Sequence, residues 1–153
     1  MLTEDHVVSA VAKHLVSVGY EIKSALTSLE RGIDIVATHR KTGKQLLVEA
    51  KGGTSSKATT ARFGKPFDRG QAVSHVSRAL FYATQLREKY QANGTEVAVA
   101  FPDDKNHKAL IVGVGSALVD LKIRVFFVNA EHVVSEYAPT TCRPIGLTSR
   151  RLR

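Results

Sequence analysis

Apolar positions along this chain switch between helical and strand-like spacing. Over residues 4–18, Val7, Val8, Val11, Leu15 and Val18 recur at helical intervals. Thr3 is placed to cap that helix, and His6 is not expected to complete a capping box. Gly19-Tyr20 ends it, and residues 20–23 read as a short strand. Residues 33–38 and 45–51 are two further apolar runs, separated by the polar, glycine-containing residues 39–44. They read as the arms of one hairpin. A long helix is expected from about Arg69 to Tyr90, with Ala72, Val73, Val76, Ala79, Leu80, Ala83 and Leu86 as its buried stripe. Residues 96–101 form a buried-type strand stopped by Pro102-Asp103-Asp104, residues 106–121 suggest a helix, and residues 124–129 a last strand. That strand–helix–strand order implies a parallel pair with a right-handed crossover. The chain therefore reads as one α/β domain over residues 1–136, followed by a docked arm or basic tail over residues 137–153.

The hairpin register follows from the pattern. With the turn centred between Lys41 and Thr42, Ile35 faces Val48, Ala37 faces Leu46 and Ile33 faces Ala50 on one wholly apolar side. The other side carries Val36 with Leu47, Thr38 with Gln45, and Asp34 with Glu49. A slip by one residue would drive a carboxylate into the core face. Directly opposed residues have Cα atoms about 4.5–5.5 Å apart. Lys51 lies two residues beyond Glu49 and projects from the same face.

Charged groups inside apolar strands are costly to bury without a partner. Two carboxylates this close repel, and one tends to stay protonated unless compensated. A divalent cation removes that repulsion, and hard oxygen ligands suit Mg²⁺ or Mn²⁺. Such an ion lowers the pKa of a water and polarises a phosphoryl oxygen. The Lys51 ammonium can hold an attacking hydroxide or stabilise developing negative charge. The plainer reading is an ion pair of Asp34 with Lys51 at a sheet rim, with Glu49 solvated.

At Gly32-Ile33-Asp34-Ile35-Val36-Ala37 and Val48-Glu49-Ala50-Lys51 the chain resembles the PD-(D/E)XK nuclease superfamily, which includes restriction endonucleases and archaeal-type Holliday junction resolvases. The resemblance implies a restriction endonuclease-like, three-layer α/β/α fold around a central mixed sheet. It implies that Asp34 and Glu49 bind the metal and that Lys51 is the catalytic lysine. Many superfamily members carry a first-helix glutamate that reaches the metal, and Glu4 matches it, with Asp5 as a competitor. The alternative for Glu4 is a first-turn acid favoured by the helix dipole. Many also carry Gln-x-x-x-Tyr on the following helix. Gln71 matches the glutamine as a catalytic candidate, and His75 stands where the tyrosine would be. Alternatively Asp68 and Gln71 form a capping-box variant, and His75 is an ordinary polar-face residue. Gln71, His75, Arg78 and Tyr82 share one helix face.

Residues 52–68 show no periodic apolar pattern. They and the following turn carry Lys57, Arg62, Lys65 and Arg69 with Phe63 and Phe67 interspersed, which suits phosphate contact and base stacking. Arg78 is a further nucleic-acid candidate. Gly52-Gly53 would let backbone amides approach a ligand. The alternatives are a solvated loop, or phenylalanines packed onto the core. Asp103 and Asp104 read as a turn and helix N-terminus rather than a second metal site.

Composition narrows the setting. The chain has 153 residues and a net charge of +8, which fits a polyanionic partner such as DNA. Cys142 is the single cysteine, so no intrachain disulfide forms and a cytoplasmic setting is expected. No apolar run is long enough for a membrane span, and the N-terminus lacks a signal-peptide layout. The expected function is a Mg²⁺- or Mn²⁺-dependent endonuclease acting on DNA. Without a separate specificity domain, cutting directed by DNA structure or by a partner is favoured, and a homodimer is a candidate assembly. The rivals are a non-catalytic nucleic-acid-binding module on the same fold and an RNA-processing phosphodiesterase.

Overall fold

The structure, a computed structural model, describes residues 1–54 and 64–139. Helix α1 (Glu4–Ser17) is followed by strands β1 (Tyr20–Ala25), β2 (Ile35–His39) and β3 (Gln45–Ala50), then helix α2 (Arg69–Tyr90) and strand β4 (Glu96–Pro102). Helices α3 (Lys105–Gly113) and α4 (Gly115–Asp120) lead to strands β5 (Ile123–Val128) and β6 (Val134–Glu136). The six strands form one mixed sheet in sequence order, antiparallel from β1 to β3, parallel from β3 to β5, and antiparallel again at β6.

Both sheet faces are covered. On one, Val7, Val8, Val11 and Leu15 of α1 pack on Ile35, Ala37, Leu46, Val48 and Ala50. On the other, Val76, Ala79, Ala83 and Leu86 of α2, with Ile111 and Leu118, pack on Leu47, Val97, Val99 and Phe101. The α2 and α3–α4 crossovers thus share one face and join β3 to β4 and β4 to β5, both parallel neighbours. Continuous burial along β3 and β4 is the expected consequence of cover on both sides.

The hairpin register matches the pattern: Ile35 pairs with Val48, Val36 with Leu47, Ala37 with Leu46 and Thr38 with Gln45. It ends sooner than expected. Asp34 lies one residue before β2, and Ile33 turns to the α2 face instead of meeting Ala50. The reason is local: Ala50 donates its N–H to Asp34 Oδ2 at 2.6 Å, so a side chain replaces the next ladder bond.

Other local expectations need correction. His6 does complete a capping box, because its ring Nδ1 accepts from the Thr3 N–H at 3.2 Å while the His6 N–H donates to Thr3 Oγ1. Val73 is exposed rather than part of the α2 stripe. The expected single helix over residues 106–121 is broken at Val114, between two glycines. Strand β6 was not anticipated, and Tyr137 prolongs its edge by donating its N–H to Val125 O at 2.9 Å.

Candidate active site

Three elements bring the charged residues together. Strand β3 carries Glu49 at its end and Lys51 immediately after it, where the Lys51 N–H still donates to Ala100 O of β4 at 2.9 Å. Asp34 reaches across from the end of β2 through its bond to Ala50. Glu4 comes from the first turn of α1. What lets α1 approach is Gly52: a Cβ there would lie 2.5 Å from Glu4 N and 2.8 Å from the Thr3 carbonyl carbon. Gly53 then donates its N–H to Leu2 O at 2.9 Å. The paired glycines therefore serve close packing against the α1 N-terminus.

Lys51 is the hub. Its Nζ donates to Glu49 Oε1 at 2.6 Å and to Ala50 O at 2.9 Å, and stands 3.6 Å from Glu4 Oε2. Asp5 is turned elsewhere: its carboxylate accepts from the Ser28 N–H at 2.7 Å and the Ser28 hydroxyl at 3.4 Å. Of the two first-turn acids, Glu4 is the one that faces Lys51.

The electrostatics are unbalanced. Burial pushes the Glu4, Asp34 and Glu49 carboxyls above their ordinary values, and for Glu49 the Asp34 charge adds to the effect. Burial acts to lower Lys51, but its bond to Glu49 and the three carboxylate charges outweigh that and raise it. One ammonium thus faces three carboxylates, Glu49 buried and Glu4 and Asp34 half-buried. Among the described residues, no group of three or more His, Cys, Asp and Glu side chains is gathered tightly enough to hold a metal ion. The Lys51 ammonium lies between Glu4 and Glu49, and one Asp34 oxygen is taken by Ala50.

No protein-family model, no curated protein and no solved structure matches this chain. The site therefore stands on its own residues and their geometry.

Helix α2 borders the cluster with the face read from its spacing. Burial first, then the Lys51 charge, holds the His75 imidazole below its ordinary value, and burial first, then the Glu49 and Asp34 charges, holds the Tyr82 phenol above its own. Gln71, one turn before His75, closes a capping box with Asp68: its N–H donates to Asp68 Oδ1 at 2.9 Å and its Oε1 accepts from the Asp68 N–H at 3.1 Å. The capping alternative is thus what these two contacts of Gln71 serve. Lys65, Arg69 and Arg78 are exposed, the first before α2 and the others on it. Lys57, Arg62 and Phe63 lie outside the described residues, as do Cys142 and the terminal arginines. Phe67 is half-buried against His75, with ring centroids 4.4 Å apart, and its N–H donates to Gly53 O at 3.0 Å. It is a packing residue here rather than an open stacking platform.

Sequence reasoning passed over His107. This fully buried histidine holds Asp104 Oδ2 through Nδ1 at 2.6 Å and stacks on Phe101. Asp104 caps α3 by accepting from the Asn106 and His107 N–H groups. The three-residue spacing of Asp104 and His107 is the signal that could have found the pair.

Proposed function

We propose that this chain is a metal-dependent nuclease of the PD-(D/E)XK type, hydrolysing DNA phosphodiester bonds on a restriction endonuclease-like α/β/α frame. The observation that carries this is the cluster of buried Glu49 and half-buried Glu4 and Asp34 with Lys51. A mixed sheet with helices on both faces and the net charge of +8 support it.

In donor type, though not in the present spacing of the described side chains, the set fits a hard divalent cation. It offers carboxylate oxygens only, and one ammonium leaves two of three negative charges uncompensated. Asp34, Glu49 and Glu4 would hold Mg²⁺ or Mn²⁺, which would supply Lewis acidity at a phosphoryl oxygen and a more acidic water. The remaining work falls to the chain. Ala50 orients Asp34 by its short N–H bond, so this ligand is fixed before anything binds. Lys51, held in its charged form by the carboxylates, would stabilise the negative charge that develops on the phosphorane oxygens. Lys65, Arg69 and Arg78 would contact flanking phosphates, which gives affinity without base specificity. On this reading the substrate is selected by DNA structure or by a partner.

The test is a cleavage panel: single-stranded, duplex, nicked and branched DNA, and structured RNA, each with Mg²⁺, Mn²⁺ or EDTA. The reading predicts metal-dependent cutting of at least one DNA form, abolished by EDTA and by Glu49→Gln. RNA cleavage without DNA cleavage would move the assignment to RNA processing. Binding without any cleavage would leave a nucleic-acid-binding module.

A further inference from the structure

Residues 26–34, between β1 and β2, lead directly into the site at Asp34. They are bonded to both of the segments that carry Asp34 and Glu4. Leu26 donates its N–H to Asp34 O at 2.8 Å. Asp5, next to Glu4 in the first turn of α1, accepts from the Ser28 N–H at 2.7 Å and from the Ser28 hydroxyl at 3.4 Å. The segment is also braced internally. Glu30 donates its N–H to Thr27 O at 2.9 Å, which closes a tight turn around Ser28 and Leu29. The Glu30 carboxylate accepts from the Thr27 N–H at 2.8 Å and from the Thr27 hydroxyl at 2.9 Å. Gly32 lies close against Leu26, where a Cβ would come within 2.8 Å of Leu26 Cδ1.

This braced turn holds a leucine out in water. Leu29 is 92% exposed, the most of any large apolar side chain among the described residues. Leu26, three positions earlier, is half-buried, so the segment packs one leucine and displays the other. Turn centres normally carry polar residues or glycine. A single exposed leucine is ordinary on a protein surface. This one differs in standing on a turn fixed by hydrogen bonds to the α1 first turn and next to Asp34. Arg31 follows two positions later, exposed and with no ion pair among the described residues. The nearby acids are turned back into the fold, Glu30 onto Thr27 and Asp5 onto Ser28.

Resting on the hydrolytic reading above, we propose that Leu29 is a wedge that selects DNA with a break in base stacking, at a nick, branch or junction. With DNA over the Lys51 cluster, Leu29 inserts against the open face of a base, and Arg31 contacts a flanking phosphate. Apolar side chains inserted in this way must unstack a base step in continuous duplex. At a nick or branch the stacking is already weakened, so insertion is favoured there and opposed elsewhere. The hydrogen bonds of the turn hold the wedge ready, so little ordering is needed on binding. Leu29 touches neither the cation nor the reacting phosphate; it sets substrate preference alone.

The experiment compares wild type, Leu29→Ala and Leu29→Met on nicked, branched and continuous duplex DNA of one sequence. Single-turnover cleavage is measured with Mn²⁺. Binding is measured in EDTA with 2-aminopurine, a base whose fluorescence rises when it unstacks, placed beside the nick or branch. Wild type should cut nicked or branched DNA at least about 10-fold faster than duplex, a fraction of the unstacking cost that the break removes. It should also raise the fluorescence. Leu29→Ala should melt as wild type does, bind Mn²⁺ equally and cut duplex at the wild-type rate, but lose both the preference and the fluorescence rise. Leu29→Met, which keeps an apolar side chain, should retain them. A Leu29→Ala protein with the wild-type preference and fluorescence overturns this proposal alone, as does a wild type that cuts continuous duplex best. A wild type that cuts no DNA yet raises the fluorescence through Leu29 overturns the hydrolytic reading and supports the wedge. One that does neither overturns both.

Discussion

Replacing Gly52 with alanine would test how the site is assembled. The added Cβ would sit 2.5 Å from Glu4 N and 2.8 Å from the Thr3 carbonyl carbon, both backbone atoms of the α1 entrance. Ordinary contact begins at 3.4 Å, so α1 must retreat by roughly 0.9 Å. Overpacking of this kind costs about 1–3 kcal/mol. At about 2–4 °C per kcal/mol for a chain of this size, Tm should fall by roughly 2–12 °C. The same retreat stretches the 3.6 Å approach of Glu4 Oε2 to Lys51 beyond ion-pair range. Cleavage should fall on the order of 10²-fold, the scale expected for an ångström of misplacement. The assay pairs thermal melts with single-turnover cleavage. Gly113→Ala is the control, because a Cβ there meets nothing within 4 Å. A Gly52→Ala protein with wild-type Tm refutes the packing argument, and one with lower Tm but full activity refutes the role given to Glu4.

Asp34→Ala should lower Tm, because it leaves the Ala50 N–H without its acceptor, a loss of roughly 1–3 kcal/mol. Asp34→Asn retains an acceptor oxygen and should melt close to wild type, and equal melts for both would show the bond is unimportant. Lys51→Met should keep Mn²⁺ binding while turnover falls by at least about 10²-fold, and near-normal turnover would make Lys51 a rim residue. The carboxyls raised by burial contribute stability below the ordinary carboxylate range and lose it as pH rises through their raised values. Mn²⁺ should therefore raise Tm more at pH 7.5 than at pH 5, and the opposite order would contradict their role as ligands. Neutralising Lys65, Arg69 and Arg78 together should flatten the slope of log affinity against log salt by about 2–3 units. An unchanged slope places the phosphate contacts elsewhere.

Much of this was legible in local pattern. The hairpin register followed from alternation, since any slip would bury Asp34 or Glu49 in the α1 face. The extent of α2, Arg69–Tyr90, followed from the helical spacing of its apolar stripe. What failed depended on contacts distant in sequence or on weak local signals. Nothing near Asp34 announces that its side chain will replace a ladder bond at Ala50. The role of Gly52 depends on α1, almost fifty residues earlier in the chain. Strand β6 is only Val134–Glu136, too short for a period-two signal, and the Gly113 and Gly115 pair was underweighted as a helix break. The His6 cap was missed because a ring nitrogen did the work usually given to glutamate or glutamine.

The central claim is that the Glu4, Asp34, Glu49 and Lys51 cluster is a cation site. Calorimetric titration with Mn²⁺ at pH 7.5 addresses it without any assumption about substrate. Wild type should give a saturable binding heat that Asp34→Asn and Glu49→Gln both lose while melting as folded proteins. No heat in wild type, or an equal heat in all three, would contradict the account.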